Sequence, residues 1–419
     1  MSSIDGLERM KALLRKFGNP ELRFRAIHIA GTNGKGSTAV MTASILMEAG
    51  YRVGLYTSPH LESECERIQL CDSVSGSRCI EQTELDKLRD DVLCMGKSLE
   101  STYGKLTVFE VYTAVAYLFF AESNVDFVVL ETGLGGRLDS TNTLTKPLVT
   151  VITQVGIDHT AQLGDSIEQI AFEKAGIIKE GVPVVSQTDD EAVKRVIKKA
   201  ADDHNSAFVD VNDYITGSEN SASYGAICVP KLLMHGEHQV LNAATAVLAV
   251  RAAGIKADRD AEKRGLANAR ICGRFEILRR SHGDPKEGSQ IWIIDGAHNP
   301  NAISTLTRTF NEFKNKNNIK RSFVIFGCMQ DKNSAHMVQL LTRDLRDCSY
   351  AAVAVDYGRA EEAGRIGELI SAAGEECKVF DSVGDAYSYA IGSEYQCILV
   401  TGSIYLAGAV RSLYFSQNS

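Results

Sequence analysis

Residues 27–37 read IHIAGTNGKGS. Residues 27–30 have the character of a short buried strand, and 31–37 form a glycine-rich turn. Residues 38–50 read as a helix, with Val40, Met41, Ile45, Leu46 and Met47 set among small residues. Strand, glycine loop, lysine, hydroxyl and helix, in that order, make the layout that cradles nucleotide phosphates. Gly31, Gly34 and Gly36 let backbone N–H groups converge on an anion. Lys35 supplies a positive charge, and Ser37 an oxygen suited to Mg2+. The spacing departs from the common Walker form. Thr32 and Asn33 alone separate the first two glycines, and Gly36 stands between Lys35 and Ser37.

Strands and helices alternate on both sides of this loop, so an α/β architecture with a mostly parallel sheet is expected. Upstream, Ile4, Leu7, Met10, Leu13, Leu14 and Phe17 recur at helical spacing, and Gly18-Asn19-Pro20 ends that helix. Downstream, 51–56 reads as a strand that runs into Thr57-Ser58-Pro59-His60, and 71–80 reads as a hairpin or loop. Residues 106–121 form an apolar helix with Glu110 in its first turn, where a carboxylate favours the helix dipole. The run DFVVL at 126–130 is a buried strand that leads into Glu131 and the stretch TGLGGRLD. An acid at the end of such a strand, after a phosphate loop, suits the holding of Mg2+. Residues 148–153 are a further strand, leading to Asp158-His159, and a helix from about 166 carries Glu173 and Lys174. Asn242, inside the apolar helix that follows 240, either bonds a neighbouring loop or faces a nucleotide base.

Gly273-Arg274-Phe275-Glu276 opens a new section. The polar stretch 281–289 separates two strand-like runs, the second ending in Asp295-Gly296-Ala297-His298. Strands at 323–326, 351–355 and 397–400 alternate with helices. A domain boundary is therefore expected near 273, giving a nucleotide-binding domain at 1–272 and a smaller, Rossmann-like α/β domain at 273–419.

Composition narrows the function. The chain of 419 residues is 44% hydrophobic and 23% charged, enough for large cores. A net charge of −8 argues against a general nucleic-acid binder. The 10 cysteines include no CxxC pair and no zinc spacing with histidine, as in reduced thiols of a cytoplasmic protein. The N-terminal stretch lacks a signal-peptide core. The most apolar run, 111–121, is too short to cross a bilayer.

The motifs RMKALLRKFGNPE, IHIAGTNGKGS, YTSPHL with ERI, VFE, ETGLGGRLDSTN, ITQVGIDH, IAFEKAGIIK, GEHQVLNAATA, GRFE, DGAHNPNA, FGCMQDKN and VTGSIYLAG run in order from residue 9 to residue 408. In these stretches the chain resembles the folylpolyglutamate synthase and dihydrofolate synthase family, within the muramyl-peptide ligase superfamily. The resemblance implies an ATP-dependent amide ligase. ATP would phosphorylate a folate or dihydropteroate carboxylate, and the amine of L-glutamate would attack the acyl phosphate. It implies that Gly34, Lys35, Gly36 and Ser37 cradle phosphate, and that Ser58 and Glu131 hold a first Mg2+. His159 would hold a second, and carbamylated Lys174 would help organise it. Asn242 would lie near the adenine, while Arg274, Asp295 and His298 would reach the nucleotide from the second domain across a cleft. It further implies a cytoplasmic monomer with no membrane or nucleic-acid partner.

Two departures stand out. Glu62-Ser63-Glu64-Cys65 occupies positions where members often carry an apolar or aromatic residue and an asparagine, and Cys272 precedes the Gly273-Arg274 pair. The first region borders the pterin side of the acceptor, so the reaction type is better specified than the acceptor. The alternatives are a ligase of the same superfamily acting on another acid, such as a muramyl peptide, and a nucleotide-binding regulatory module without catalysis. Lys35, Glu131, His159, Lys174 and Asp295 argue against the module.

Overall fold

A computed structural model describes residues 3–216, 227–281 and 289–417. Residues 282–288, most of the expected polar stretch 281–289, lie outside the described residues. The first sheet contains β1 (Arg25–Ala30), β2 (Val53–Tyr56), β3 (Ile68–Asp72), β4 (Gly76–Cys79), β5 (Phe127–Glu131), β6 (Val149–Ile152), β7 (Val184–Ser186) and β8 (Phe208–Asp210). The second contains β9 (Glu276–Ser281), β10 (Ser289–Ile294), β11 (Ser322–Phe326), β12 (Cys348–Val353), β13 (Cys377–Phe380) and β14 (Cys397–Thr401). The strand orders are β4-β3-β2-β5-β1-β6-β7-β8 and β13-β12-β11-β14-β10-β9. Pairing is parallel except at β3, β4 and β9. The fold is thus mixed α/β with two mostly parallel sheets.

Register explains why the phosphate loop lies where it does. β1 sits between β5 and β6, with Ile29 opposite Glu131 and Ala30 opposite Ile152. Three parallel strands therefore end at one level, the edge where open α/β sheets present their ligand loops. β1, β5 and β6 are buried on both faces, so they read as near-continuous apolar runs. In the second sheet the two faces separate by alternation. Ile291, Ile293, Val324, Phe326 and Leu399 fill one core, and Trp292, Phe323, Ile325, Ile398 and Val400 the other.

The helix Lys35–Glu48 begins three residues before the expected position 38, which puts Lys35 in its first turn. Expected 71–80 is a hairpin: β3 and β4 pair antiparallel, and Asp72 Oδ1 accepts from Val74 and Ser75 N in the turn. β8 and β13 were not anticipated. They are three and four residues long, and β13 is a half-exposed edge strand. Among the described residues no helix is long and apolar enough to cross a membrane.

The chain divides into two units. Residues up to Arg270 form the first, except that Leu61–Ser63 and Met234–Glu237 join residues from Ile271 onward in the second.

Glu110 does more than favour a helix dipole. Its helix, Val108–Glu122, opens on a capping box in which Glu110 Oε2 accepts from Thr107 N at 2.7 Å. Arg9, from the helix Ser3–Lys16, donates to both carboxylate oxygens of Glu110 through Nε and Nη2, and through Nη1 to Tyr103 O at 2.7 Å. Both side chains are buried, and removing one partner of a buried pair strands the other charge. Glu110→Ala is expected to destabilise the protein by about 3–5 kcal/mol in urea unfolding. Replacing both residues, Arg9→Met with Glu110→Leu, should recover much of that loss. A shift below about 1 kcal/mol for Glu110→Ala would show the pair to be incidental.

Candidate active site

The loop after β1 is held by the segment that follows β6. Thr32 and Asn33 N donate to Gln154 O, Thr153 Oγ1 donates to Asn33 O at 2.8 Å, and Gly156 N donates to Thr32 Oγ1 at 3.0 Å. Gly31 leaves no space for a side chain, because a Cβ there would collide with Thr153 Oγ1. Gly34 has φ 88°, and a Cβ would stand 2.6 Å from Asn242 Oδ1. Gly34 caps the helix without a side-chain hydrogen bond, and the first N–H groups of a helix have no acceptor within it. The result is a cradle of backbone donors at a helix N-terminus, and it fits a phosphate.

Around the cradle the charges are ordered. Lys35 Nζ stands 3.9 Å from Glu131 Oε1 and donates to Thr32 O at 3.3 Å. Glu131 is buried, and its Oε2 accepts from Ser58 N at 3.1 Å. Ser58 and Glu131 thus meet because β2 and β5 are parallel neighbours. His159 caps the short helix Thr160–Leu163 with φ 51°, its Nε2 3.9 Å from Asp158 Oδ1. Among the described residues no three His, Cys, Asp or Glu side chains gather as a metal cluster. The single carboxylate of Glu131 still suits Mg2+, which takes few protein ligands and completes its shell with water and phosphate oxygens.

Lys174 does not face solvent. It is 3% exposed near the end of the helix Ile167–Ala175, and its Nζ donates to Gly31 O at 2.8 Å. Burial pulls its pKa down to about 7, and the nearby Lys35 charge adds to the effect. Of the two readings of Asn242, the bond to a neighbour is present. Its Oδ1 accepts from Gln187 Nε2 at 3.0 Å, its Nδ2 donates to Gln239 Oε1 at 2.9 Å, and it backs Gly34.

In the second unit, Asp295 closes β10 and accepts from Phe275 N and Ala297 N, both at 2.8 Å. Burial raises its pKa, opposed by the charge of Arg274. His298 Nδ1 bonds Gly296 O at 2.8 Å. The departures from the family pattern form local pairs. Glu62 meets Arg411 at 2.7 Å, and Cys272 Sγ accepts from Arg411 Nη2. Glu64 meets Arg89 at 3.2 Å in the first unit. The supports at Thr153, Gln154 and Gly156 lie in the stretch ITQVGIDH, but the sequence assigned them no role in holding the phosphate loop.

A Mur ligase middle domain model matches residues 29–250, and a Mur ligase glutamate ligase domain model matches residues 273–404. The dihydrofolate synthase/folylpolyglutamate synthase of Bacillus subtilis is 36% identical, covering 97% of this chain and 94% of that protein. That of Escherichia coli is 32% identical over 99% of this chain and 92% of its own. Among solved structures, E. coli FolC in complex with DHPP and ADP superposes with TM-score 0.84 at 28% identity, covering 99% of this chain and 94% of that one. A bifunctional folylpolyglutamate synthase/dihydrofolate synthase with Mn, AMPPNP and L-glutamate bound gives TM-score 0.82 at 26% identity, covering 98% and 94%.

The depressed Lys174 pKa carries a stability signature. Between about pH 7 and the usual lysine range the unfolded chain holds a proton that the folded chain lacks, so folding gains stability as pH rises. Below about pH 7 the cost of burying the charge is fully present. Lys174→Met is therefore expected to be more stable than the parent at pH 6.5, with the gain shrinking by pH 9.5. Denaturant midpoints at both pH values check this, and a gain that does not change with pH would contradict it.

Proposed function

The chain belongs to the folylpolyglutamate synthase/dihydrofolate synthase family of Mur ligases, and on that premise we propose that it joins L-glutamate to the carboxylate of dihydropteroate, of folylglutamates, or of both, using ATP. The observation that carries this reading is the cradle at Gly34 with Lys35 beside the buried carboxylate of Glu131. A carboxylate is a poor electrophile until one oxygen becomes a phosphate leaving group. The acceptor carboxylate takes the γ-phosphoryl group of ATP, glutamate nitrogen attacks the acyl carbon, and phosphate leaves. Such a transfer needs positioning and charge neutralisation. Backbone donors at 34–37 and the Lys35 ammonium provide both. Ser58, Glu131 and His159 would hold Mg2+, which neutralises phosphate charge.

Lys174 is the group for which chemistry and position agree best. Carbamylation, in which the amine adds to CO2 and releases a proton, requires a neutral amine, and a pKa of about 7 leaves a large neutral fraction at neutral pH. The carbamate carries negative charge in place of a second cation beside Lys35, and its oxygens suit Mg2+. The two Mur ligase matches support an ATP-binding domain at 1–272 and a glutamate-ligase domain at 273–419. The cysteines of the described residues are all free, which supports a cytoplasmic location.

Phosphate release from ATP is expected only when a pterin acid and glutamate are both present. Dihydropteroate and tetrahydrofolate as alternative acceptors report which acids are used. Lys35→Ala should lower kcat by roughly two or more orders of magnitude with its unfolding transition unchanged. Near-normal ligation by folded Lys35→Ala would defeat the assignment.

Lys174→Ala should lose activity, and a short carboxylate in the buffer should restore part of it. Rescue by a short amine in place of the carboxylate would mark Lys174 as a phosphate clamp.

A further inference from the structure

We infer that Asn142 is a positioning residue for Lys174, tying the loop after Glu131 to the end of the helix that carries the lysine. The inference rests on the ligase reading and deepens it.

Asn142 is 8% exposed and uses both ends of its amide. Nδ2 donates to Arg137 O at 2.9 Å, within its own loop, and to Gly176 O at 3.0 Å, just past the helix Ile167–Ala175. Oδ1 accepts from Lys179 Nζ at 2.7 Å. One side chain therefore bridges two backbone carbonyls, one in its own loop and one 34 residues further along the chain from Asn142. Only a primary amide offers two donors in that geometry along with an acceptor. An aspartate would place oxygen against both carbonyls, and a serine has a single donor.

The same loop lies on the Lys174 helix at other points. Arg137 N donates to Glu173 O at 2.7 Å, and Arg137 Nη2 meets Glu173 Oε1 at 2.7 Å. At Gly136 a Cβ would be 2.8 Å from Lys174 O, and at Gly176 it would collide with Arg137 Cβ. The loop backbone thus sits directly on the carbonyls of the turn that bears Lys174. Its far side is tied to β1. Asp139 accepts from Leu134 N at 2.8 Å and from Thr141 N at 3.0 Å, and Thr141 Oγ1 bonds His28 Nε2 at 2.8 Å. His28 lies on the strand that ends at Ala30, next to Gly31, the acceptor of the Lys174 bond. Glu131, β1 and the Lys174 helix are therefore joined through one loop. Asn142 closes the joint on the lysine side.

The test is a double-mutant cycle on the full chain, with kcat, KM for ATP and the urea midpoint measured for Asn142→Ala, Lys174→Ala and the double variant. Asn142→Ala should lower kcat roughly ten- to hundredfold while KM for ATP moves less than about twofold. In the Lys174→Ala background the same change should alter kcat by less than about twofold, because the group being positioned is gone. Equal losses in both backgrounds would make Asn142 merely structural and overturn the proposal. So would an unchanged kcat in Asn142→Ala when Lys174→Ala is impaired. Full activity in Lys174→Ala would instead refute the Lys174 assignment, and this proposal with it. If Asn142→Ala does not fold, Glu173→Gln replaces it in the cycle. This change loosens the Arg137 pair and should give the same non-additive pattern with a loss of roughly three- to tenfold.

Discussion

The bond from Lys174 Nζ to the carbonyl of Gly31 joins segments 143 residues apart, at the point where β1 gives way to the phosphate loop. It places an amine inside the protein, where the charged form is penalised and a second cation, Lys35, stands nearby. Asp158 and Asp139 oppose that effect only in part. A lysine kept this way is a nucleophilic or modifiable amine at neutral pH, unlike the strongly hydrated ammonium of a surface lysine. The rest of the first unit can be understood as the structure needed to hold that amine against a glycine loop.

Close backbone approach is the means. Gly31 and Gly34 on the loop, and Gly136 and Gly176 where the later loop meets the helix, each have no space for a Cβ. Removing the side chain lets carbonyls and amides come within hydrogen-bond range, and the conformational freedom lost at glycine is offset by those contacts. Parallel register supplies the second element. It sets the ends of β1, β5 and β6 side by side, so Glu131 arrives next to the loop without a dedicated turn.

Polar groups inside this unit are connected through networks. Arg9 and Glu110 satisfy each other at four contacts. His28 is buried, and desolvation drives its pKa down to about 3, so it takes part as a neutral ring bonded to Thr141 through Nε2, while its buried Nδ1 has no hydrogen-bond partner among the described residues. The Arg9–Glu110 network fixes geometry because removing one member would leave a costly unpaired charge in a low-dielectric interior.

Much of this was legible in the sequence. Ile27–Ser37 announced strand, loop and helix through glycine spacing and a lysine, and the apolar run DFVVL announced a buried strand with an acid at its end. Those signals are local: periodicity, turn chemistry and the residue at a strand terminus. The local pattern showed Lys174 only as a helical residue, since nothing in EKAG tells whether the side chain turns to solvent or inward, and its place near a second Mg2+ came from the family resemblance alone. Glu110 looked like a helix-dipole partner because its cation, Arg9, lies 101 residues away. Asn142 was one polar residue in a polar stretch. Strand order and packing decided all three, because burial and hydrogen-bond partners depend on which distant segments the sheet brings together, and sequence spacing does not encode that distance.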